Sequence, residues 1–166
     1  MKTKSHRALD CGAGIGRITK RLLLPLFDTV DMVELNQGFL DEARAFIGEE
    51  ASRVHRLICC GLQQFTPEPG RYDVIWCQWV LGQLTDDDLV AFFIRCRQGL
   101  TEGGMLFVKE NISSATVEFD EKDSSYTRPR QAFVDLMRKA GLKVLKEEKQ
   151  KQFPNDIYEV RMFALQ

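Results

Sequence analysis

A chain of 166 residues, 44% apolar and 28% charged, is the size of one domain and has the composition of an ordinary globular protein. Its 23 basic and 24 acidic residues give a formal net charge of −1, which excludes a large sequence-independent nucleic-acid surface, because phosphate binding needs a positive excess. The longest apolar stretch near the N-terminus, Leu22-Leu23-Leu24-Pro25-Leu26-Phe27, is too short to cross a bilayer, so neither membrane nor nucleic acid is expected as a partner.

Residues 8–11 read as a short strand feeding a glycine turn. Ile18, Leu22 and Pro25 mark one face of a helix that Pro25 ends or kinks. A second strand is expected at 29–35. Asn36 then N-caps a helix whose Phe39, Ala43, Phe46 and Ile47 share a face, with Leu40 beside them. Strands at 54–60 and 72–78 flank the rigid turn Thr66-Pro67-Glu68-Pro69-Gly70. Thr85 with Asp88 resembles a capping box, opening a helix with Leu89, Phe92, Phe93 and Cys96 on one face. Gly103-Gly104 turns into a fifth strand at 105–109, and the polar, acidic residues 113–129 form the least structured stretch. A last helix carries Phe133, Leu136, Met137 and Ala140 and ends at Gly141, a natural left-handed cap; strands at 142–145 and 157–165 close the chain.

This alternation predicts a single α/β domain over 1–166: a doubly wound, mostly parallel seven-stranded sheet with an antiparallel edge strand and helices on both faces. Such sheets bind ligands at the carboxyl ends of their strands, near the switch point, so the chemistry is expected after Asp10, Glu34, Gln78 and Glu110. The five cysteines, Cys11, Cys59, Cys60, Cys77 and Cys96, have neither metal-pair nor disulfide spacing and read as buried free thiols in a reducing compartment.

The strongest local signal is Asp10-Cys11-Gly12-Ala13-Gly14-Ile15-Gly16. Glycines let backbone N–H groups approach a ligand, but the dinucleotide pattern GxGxxG would need its third glycine at Arg17. An acid followed by GxGxG resembles instead the class I S-adenosylmethionine (SAM)-dependent methyltransferases. Asp10 can then orient the methionine end and Arg17 can meet its carboxylate. Glu34, twenty residues beyond Gly14, is placed to accept hydrogen bonds from a ribose diol. Leu62 and Gln63 could bracket the adenine, and Gln78 completes the set.

A more specific likeness covers essentially the whole chain. Residues 8–27, 65–69 (FTPEP), 72–76 (YDVIW), Gln78-Trp79-Val80 and Asp123-Ser124-Ser125 resemble the α-N-terminal protein methyltransferases, which act on proteins beginning X-Pro-Lys or X-Pro-Arg. The resemblance implies SAM contacts at Gly12, Gly14, Arg17, Glu34, Leu35, Asn36, Leu62, Gln63 and Gln78. It implies substrate contacts at Trp79, Asn111, Asp120, Asp123, Ser125 and Tyr158, and a nuclear and cytoplasmic location. The run Lys2-Thr3-Lys4-Ser5-His6-Arg7 is too sparse for an import signal by itself. Physically, an indole can pack on a proline ring, an asparagine amide can hold a peptide carbonyl, and paired aspartates can receive a Lys or Arg.

Two departures stand out. The family reads Gly-His-Leu where this chain has Gly82-Gln83-Leu84, and glutamine cannot titrate, so Asp123 is expected to be the surviving proton acceptor beside Gln83. Family members also carry an N-terminal segment that covers the cofactor, whereas Met1 precedes the first strand by a few residues. The alternative reading is therefore a non-catalytic SAM-binding chain, or short isoform, that associates with and modulates a full-length relative. No metal is expected.

Overall fold

The computed structural model describes residues 6–154 and 157–166, so Lys2 to Ser5 of the basic N-terminal run lie outside the described residues. Its centre is β1 (Arg7–Cys11), where Ala8, Leu9, Asp10 and Cys11 are all buried, as a parallel strand covered on both faces requires. Parallel neighbours are β2 (Thr29–Glu34) on one side and β4 (Tyr72–Gln78) on the other; β3 (Val54–Cys59) lies outside β2 and β5 (Leu100–Ser113) outside β4. β9 (Glu159–Leu165) runs antiparallel to β5, and β8 (Val144–Lys149) antiparallel to β9. The antiparallel strand of the seven thus sits one place in from the edge. Strand order reverses between β1 and β4, and the crevice of the fold opens at their carboxyl ends.

Helices cover both faces. On one, α1 (Gln37–Ile47) buries Leu40, Ala43 and Ile47 against Val30 and Met32 of β2. On the other, α2 (Asp86–Gly99) and α3 (Arg130–Lys139) bury Phe92, Phe93, Phe133 and Met137 against Cys77 and Phe163. Each such side chain contributes roughly 1.5–3 kcal/mol on leaving water. The expected caps form: Asn36 accepts from Gly38 N at 2.9 Å and Thr85 from Asp88 N at 3.3 Å, each typically worth about 1 kcal/mol. Gly141, at φ +77°, donates to Arg138 O, while Leu142 N reaches Met137 O, closing α3 with both bonds of a Schellman motif.

Local departures from the sequence reading have physical causes. The expected helix before Pro25 is short: residues 17–18 are α-helical and lead into a five-residue π-helical turn, Thr19–Leu23, whose last bond runs from Leu24 N to Thr19 O before Pro25. Phe39 is exposed, because the α1 stripe runs through Leu40 instead. β5 starts at Leu100, and Gly103-Gly104 sits within it as an irregularity of register; a Cβ on Gly104 would stand 2.9 Å from Tyr72 O. The final pair of strands starts two residues later than expected at each, since Leu142 belongs to the α3 cap. Cys59 is exposed and Cys60 half-buried; only Cys11, Cys77 and Cys96 are core thiols.

The largest departure is at 113–129. Those residues form an antiparallel hairpin of β6 (Glu118–Asp120) and β7 (Ser125–Pro129). β7 then pairs in parallel with the end of β5, Ile112 opposite Arg128, beyond the point where β4 stops. The hairpin thereby stands over the carboxyl ends of the central strands.

Candidate active site

The glycine turn is welded to β2. Gly12 N and Ala13 N both donate to Val33 O, at 2.8 and 3.0 Å. Two of its glycines have different reasons to lack a side chain. A Cβ on Gly12 would stand 2.5 Å from Val80 Cγ2, so packing forbids it; Gly14, at φ +56°, has no neighbouring heavy atom within 4 Å of that position. The Gly14 backbone therefore faces open space, the arrangement a ligand-facing turn needs.

Glu34 closes the same unit. Its Oε2 accepts from Gly14 N at 2.9 Å and its Oε1 from Asn36 N at 3.0 Å, which leaves the second lone pair of each oxygen for a diol. Beside it lies a cavity of about 260 Å³ lined by Gly12, Glu34, Leu35, Leu62, Gln63, Val80 and Gln83. Arg95 of α2 fixes the loop after β3, donating to Leu62 O and Phe65 O at 2.8 Å and to Gln63 O at 3.2 Å. Of the expected cofactor residues, Arg17 is exposed away from this wall. Asn36 spends its side chain on the α1 cap, and Gln78 accepts from Trp76 Nε1 at 3.2 Å.

A second cavity, about 500 Å³, adjoins the first and shares Val80 and Gln83 with it. It brings together Trp79, Asn111, Asp123, Ser125 and Tyr158 from four separate stretches of chain. Trp79 is half exposed at φ +51°, a conformation that costs a non-glycine residue about 1–3 kcal/mol. Its N–H donates to Lys109 O at 3.0 Å and its indole Nε1 to Asn111 Oδ1 at 3.1 Å. The Lys109 ammonium lies 5.1 Å from the ring centroid, and burial holds its pKa below the ordinary lysine value.

Asp123 accepts from Ser125 N at 3.1 Å across a left-handed Ser124. Asp120 accepts from Lys122 N at 2.9 Å and stays off the cavity wall, so the two expected aspartates do not converge. Tyr158 donates its hydroxyl to Glu118. A third cavity, about 940 Å³, lies beyond Tyr158, remote from the glycine turn; its two arginines, Arg130 and Arg161, are paired with glutamates.

Two carboxylates under the site are buried. Asp10, 2% exposed, accepts from Thr19 Oγ1 at 2.6 Å; burial, assisted by the nearby Glu34 charge and opposed by the Thr19 bonds, pushes its pKa up to about 7. Glu110, 6% exposed, accepts from Val80 N and Leu81 N, both at 2.8 Å. Burial outweighs those bonds and the Arg128 charge, and its pKa also rises to about 7. Arg128 itself is fully buried, donating to Asp86 Oδ1 at 2.8 Å, Leu84 O at 2.5 Å and Leu81 O at 3.4 Å, between the rings of Tyr126 and Phe133. Sequence reasoning gave Val80, Arg95 and Arg128 no role at the site. Their partners lie far along the chain, so no local pattern marked them.

With the geometry in place, comparisons with known proteins are specific. Residues 1–166 match the family described as AdoMet dependent proline di-methyltransferase. Over 164 residues the chain is 56% identical to N-terminal Xaa-Pro-Lys N-methyltransferase 1 of Danio rerio and 52% identical to that of Mus musculus, covering 99% of this chain and 74% of each relative. A solved SAM-dependent methyltransferase of Leishmania major superposes with a TM-score of 0.93 at 41% identity, over 99% of this chain and 65% of that one.

Proposed function

The chain belongs to the AdoMet-dependent proline di-methyltransferase family, and from that premise we propose that it transfers methyl groups from SAM to the α-amino group of proteins beginning X-Pro-Lys or X-Pro-Arg. The observation that carries the reading is the junction of the two cavities at Val80 and Gln83, which sets an acceptor pocket directly against the cofactor pocket. SAM supplies an electrophilic methyl on a sulfonium, which a neutral amine can take by direct displacement.

The residues present fit that cofactor. Gly14 offers uncluttered backbone, Glu34 offers oxygen acceptors, and Leu35, Leu62 and Gln63 offer a slot with an apolar body and an amide edge. On the acceptor side the indole of Trp79, pinned by Asn111, presents a flat apolar surface suited to a proline ring. The Asn111 amide N–H groups remain to meet a peptide carbonyl. Asp123, exposed on the β6–β7 turn and lining the cavity, is placed to attract a cation at the third position and to accept the proton of the first.

Proton removal is a modest requirement. An α-amine has a reference pKa of about 8, so roughly a tenth is already neutral near pH 7. Gln83 can hold the amine by a hydrogen bond, and the rate comes chiefly from fixing it in line and excluding water. The proposed partner is thus a protein N-terminus, met in nucleus and cytoplasm. The test is a peptide series with Lys, Arg, Gln or Glu at the third position behind X-Pro. Turnover should favour Lys and Arg and be lowest for Glu; indifference to that residue would contradict the acidic acceptor pocket.

A further inference from the structure

We propose that Glu110 is a positioning residue for methyl transfer, fixing with Arg128 the loop 79–84 as the common wall of the cofactor and acceptor cavities. The inference rests on the reaction proposed above but reaches residues that the reading leaves without a role.

Three consecutive residues of β5 bind three consecutive residues of this loop. Lys109 O takes Trp79 N, Glu110 Oε1 takes both Val80 N and Leu81 N, and Asn111 Oδ1 takes the Trp79 indole. A left-handed tryptophan persists only where its surroundings over-determine it, and these four bonds do so. The other edge of the loop is held from β7, where Arg128 donates to Leu81 O and Leu84 O. Contact there is so close that a Cβ on Gly82 would stand 2.9 Å from Tyr126 O. The buried glutamate thus collects the loop's N–H groups, and the buried arginine its carbonyls.

What the loop carries makes this grip consequential. Val80 packs on Gly12 of the glycine turn and lines both cavities, as does Gln83; Trp79 walls the acceptor side. Any drift of the loop changes the separation of the two cavities, and reaction by displacement depends steeply on that separation. Glu110 also lines the acceptor cavity, but its Oε1 takes two N–H groups of the loop, and it is through Val80 and Leu81 that the proposal has it act.

The charged and titratable groups facing Glu110 are Arg128 from β7, Cys77 from β4, Asp123, Tyr126 and Tyr158 across the cavity and Arg161 opposite it on β9, the last paired with Glu147 and Glu159. Lys109, its strand neighbour, points to the Trp79 ring.

The test compares the parent chain with Glu110→Gln, which keeps shape and an acceptor oxygen, and Glu110→Ala, which keeps neither. Losing the charge on two hydrogen bonds should lower kcat on an X-Pro-Lys peptide by about tenfold, and the alanine variant should lose more. The deficit of Glu110→Gln should widen as pH rises through 7, where the parent's carboxylate gains its charge. A proton-acceptor role predicts the reverse, a deficit that shrinks at alkaline pH as the amine loses its own proton, and that result would overturn positioning. A readout independent of turnover uses the chain's two tryptophans: with Trp76→Phe, Trp79 is the sole indole. Its anisotropy decay should gain a fast component in Glu110→Ala. An unchanged decay in a folded variant overturns the inference whether or not peptide is methylated. An inactive parent with a mobilised Trp79 overturns only the proposed reaction.

Discussion

Gly14 donates its backbone N–H to Oε2 of Glu34 at 2.9 Å, a bond between residues twenty apart that ties the glycine turn to the end of β2. Cradle and acid are therefore one rigid unit before any ligand arrives, and substitutions in it separate binding from folding.

Gly14→Val should fold and lose SAM. The new Cβ meets no protein atom within 4 Å, but the side chain occupies the open space before the turn and strains a backbone at φ +56°. Calorimetry should show affinity reduced by at least about tenfold, equivalent to about 1.4 kcal/mol. Gly12→Ala should behave differently, because its methyl collides with Val80. Overpacking of about 1–3 kcal/mol predicts a melting temperature lower by several degrees.

Asp123→Asn should impair peptide methylation far more than SAM binding. The swap is isosteric and keeps an oxygen to accept from Ser125 N, so the turn survives. It removes the charge proposed to face a third-position cation and the proposed proton acceptor. The penalty should be larger on a Lys peptide than on a Gln peptide; equal turnover of variant and parent on the Lys peptide would exclude Asp123 from both roles.

Gln83→His should raise kcat near neutral pH. An imidazole titrates there and can take the amine's proton, whereas an amide cannot. The gain should fade at alkaline pH, where the amine is already neutral. A gain of constant size across pH would mean repacking of the loop instead.

Asp10→Asn should stabilise the fold at high pH. The carboxyl is pushed up to about 7 in the folded chain, above its ordinary value near 4, so the folded state binds more protons between those limits and its stability falls as pH rises through them. The stability that Asp10 contributes is fully present below about 4 and is gone above about 7. Asparagine carries no charge to bury and can still accept from Thr19. Denaturant midpoints should favour the variant at pH 8 and converge with the parent toward about pH 4; divergence in the opposite direction would contradict a desolvated Asp10.

Much of this was legible in the sequence because it is local. The buried run at 8–11, the caps at Asn36 and Thr85 and the stop at Gly141 each follow from a few adjacent residues, and all form. The glycine turn with Glu34 was readable for the same reason. Residues 113–129 were not, since β7 is ordered by pairing with the end of β5 and by burial of Arg128, neither of which has a local signature. The cofactor set came out uneven on the same principle. Spacing places a residue near a strand end, but it does not say that Gln78 turns to Trp76 or that Arg95 braces the loop after β3 from a helix thirty residues on. Glu110 was readable as a position and unreadable as a role, because its partners lie thirty residues earlier in the chain.

The most direct test of the central claim is the mass of an X-Pro-Lys peptide after incubation with the chain and SAM, run beside the same peptide with an acetylated α-amine. The account predicts added methyl mass on the free-amine peptide, located by fragmentation at its first residue, and none on the acetylated one. Unchanged mass with a folded, SAM-binding chain, or methylation of both peptides, would contradict it.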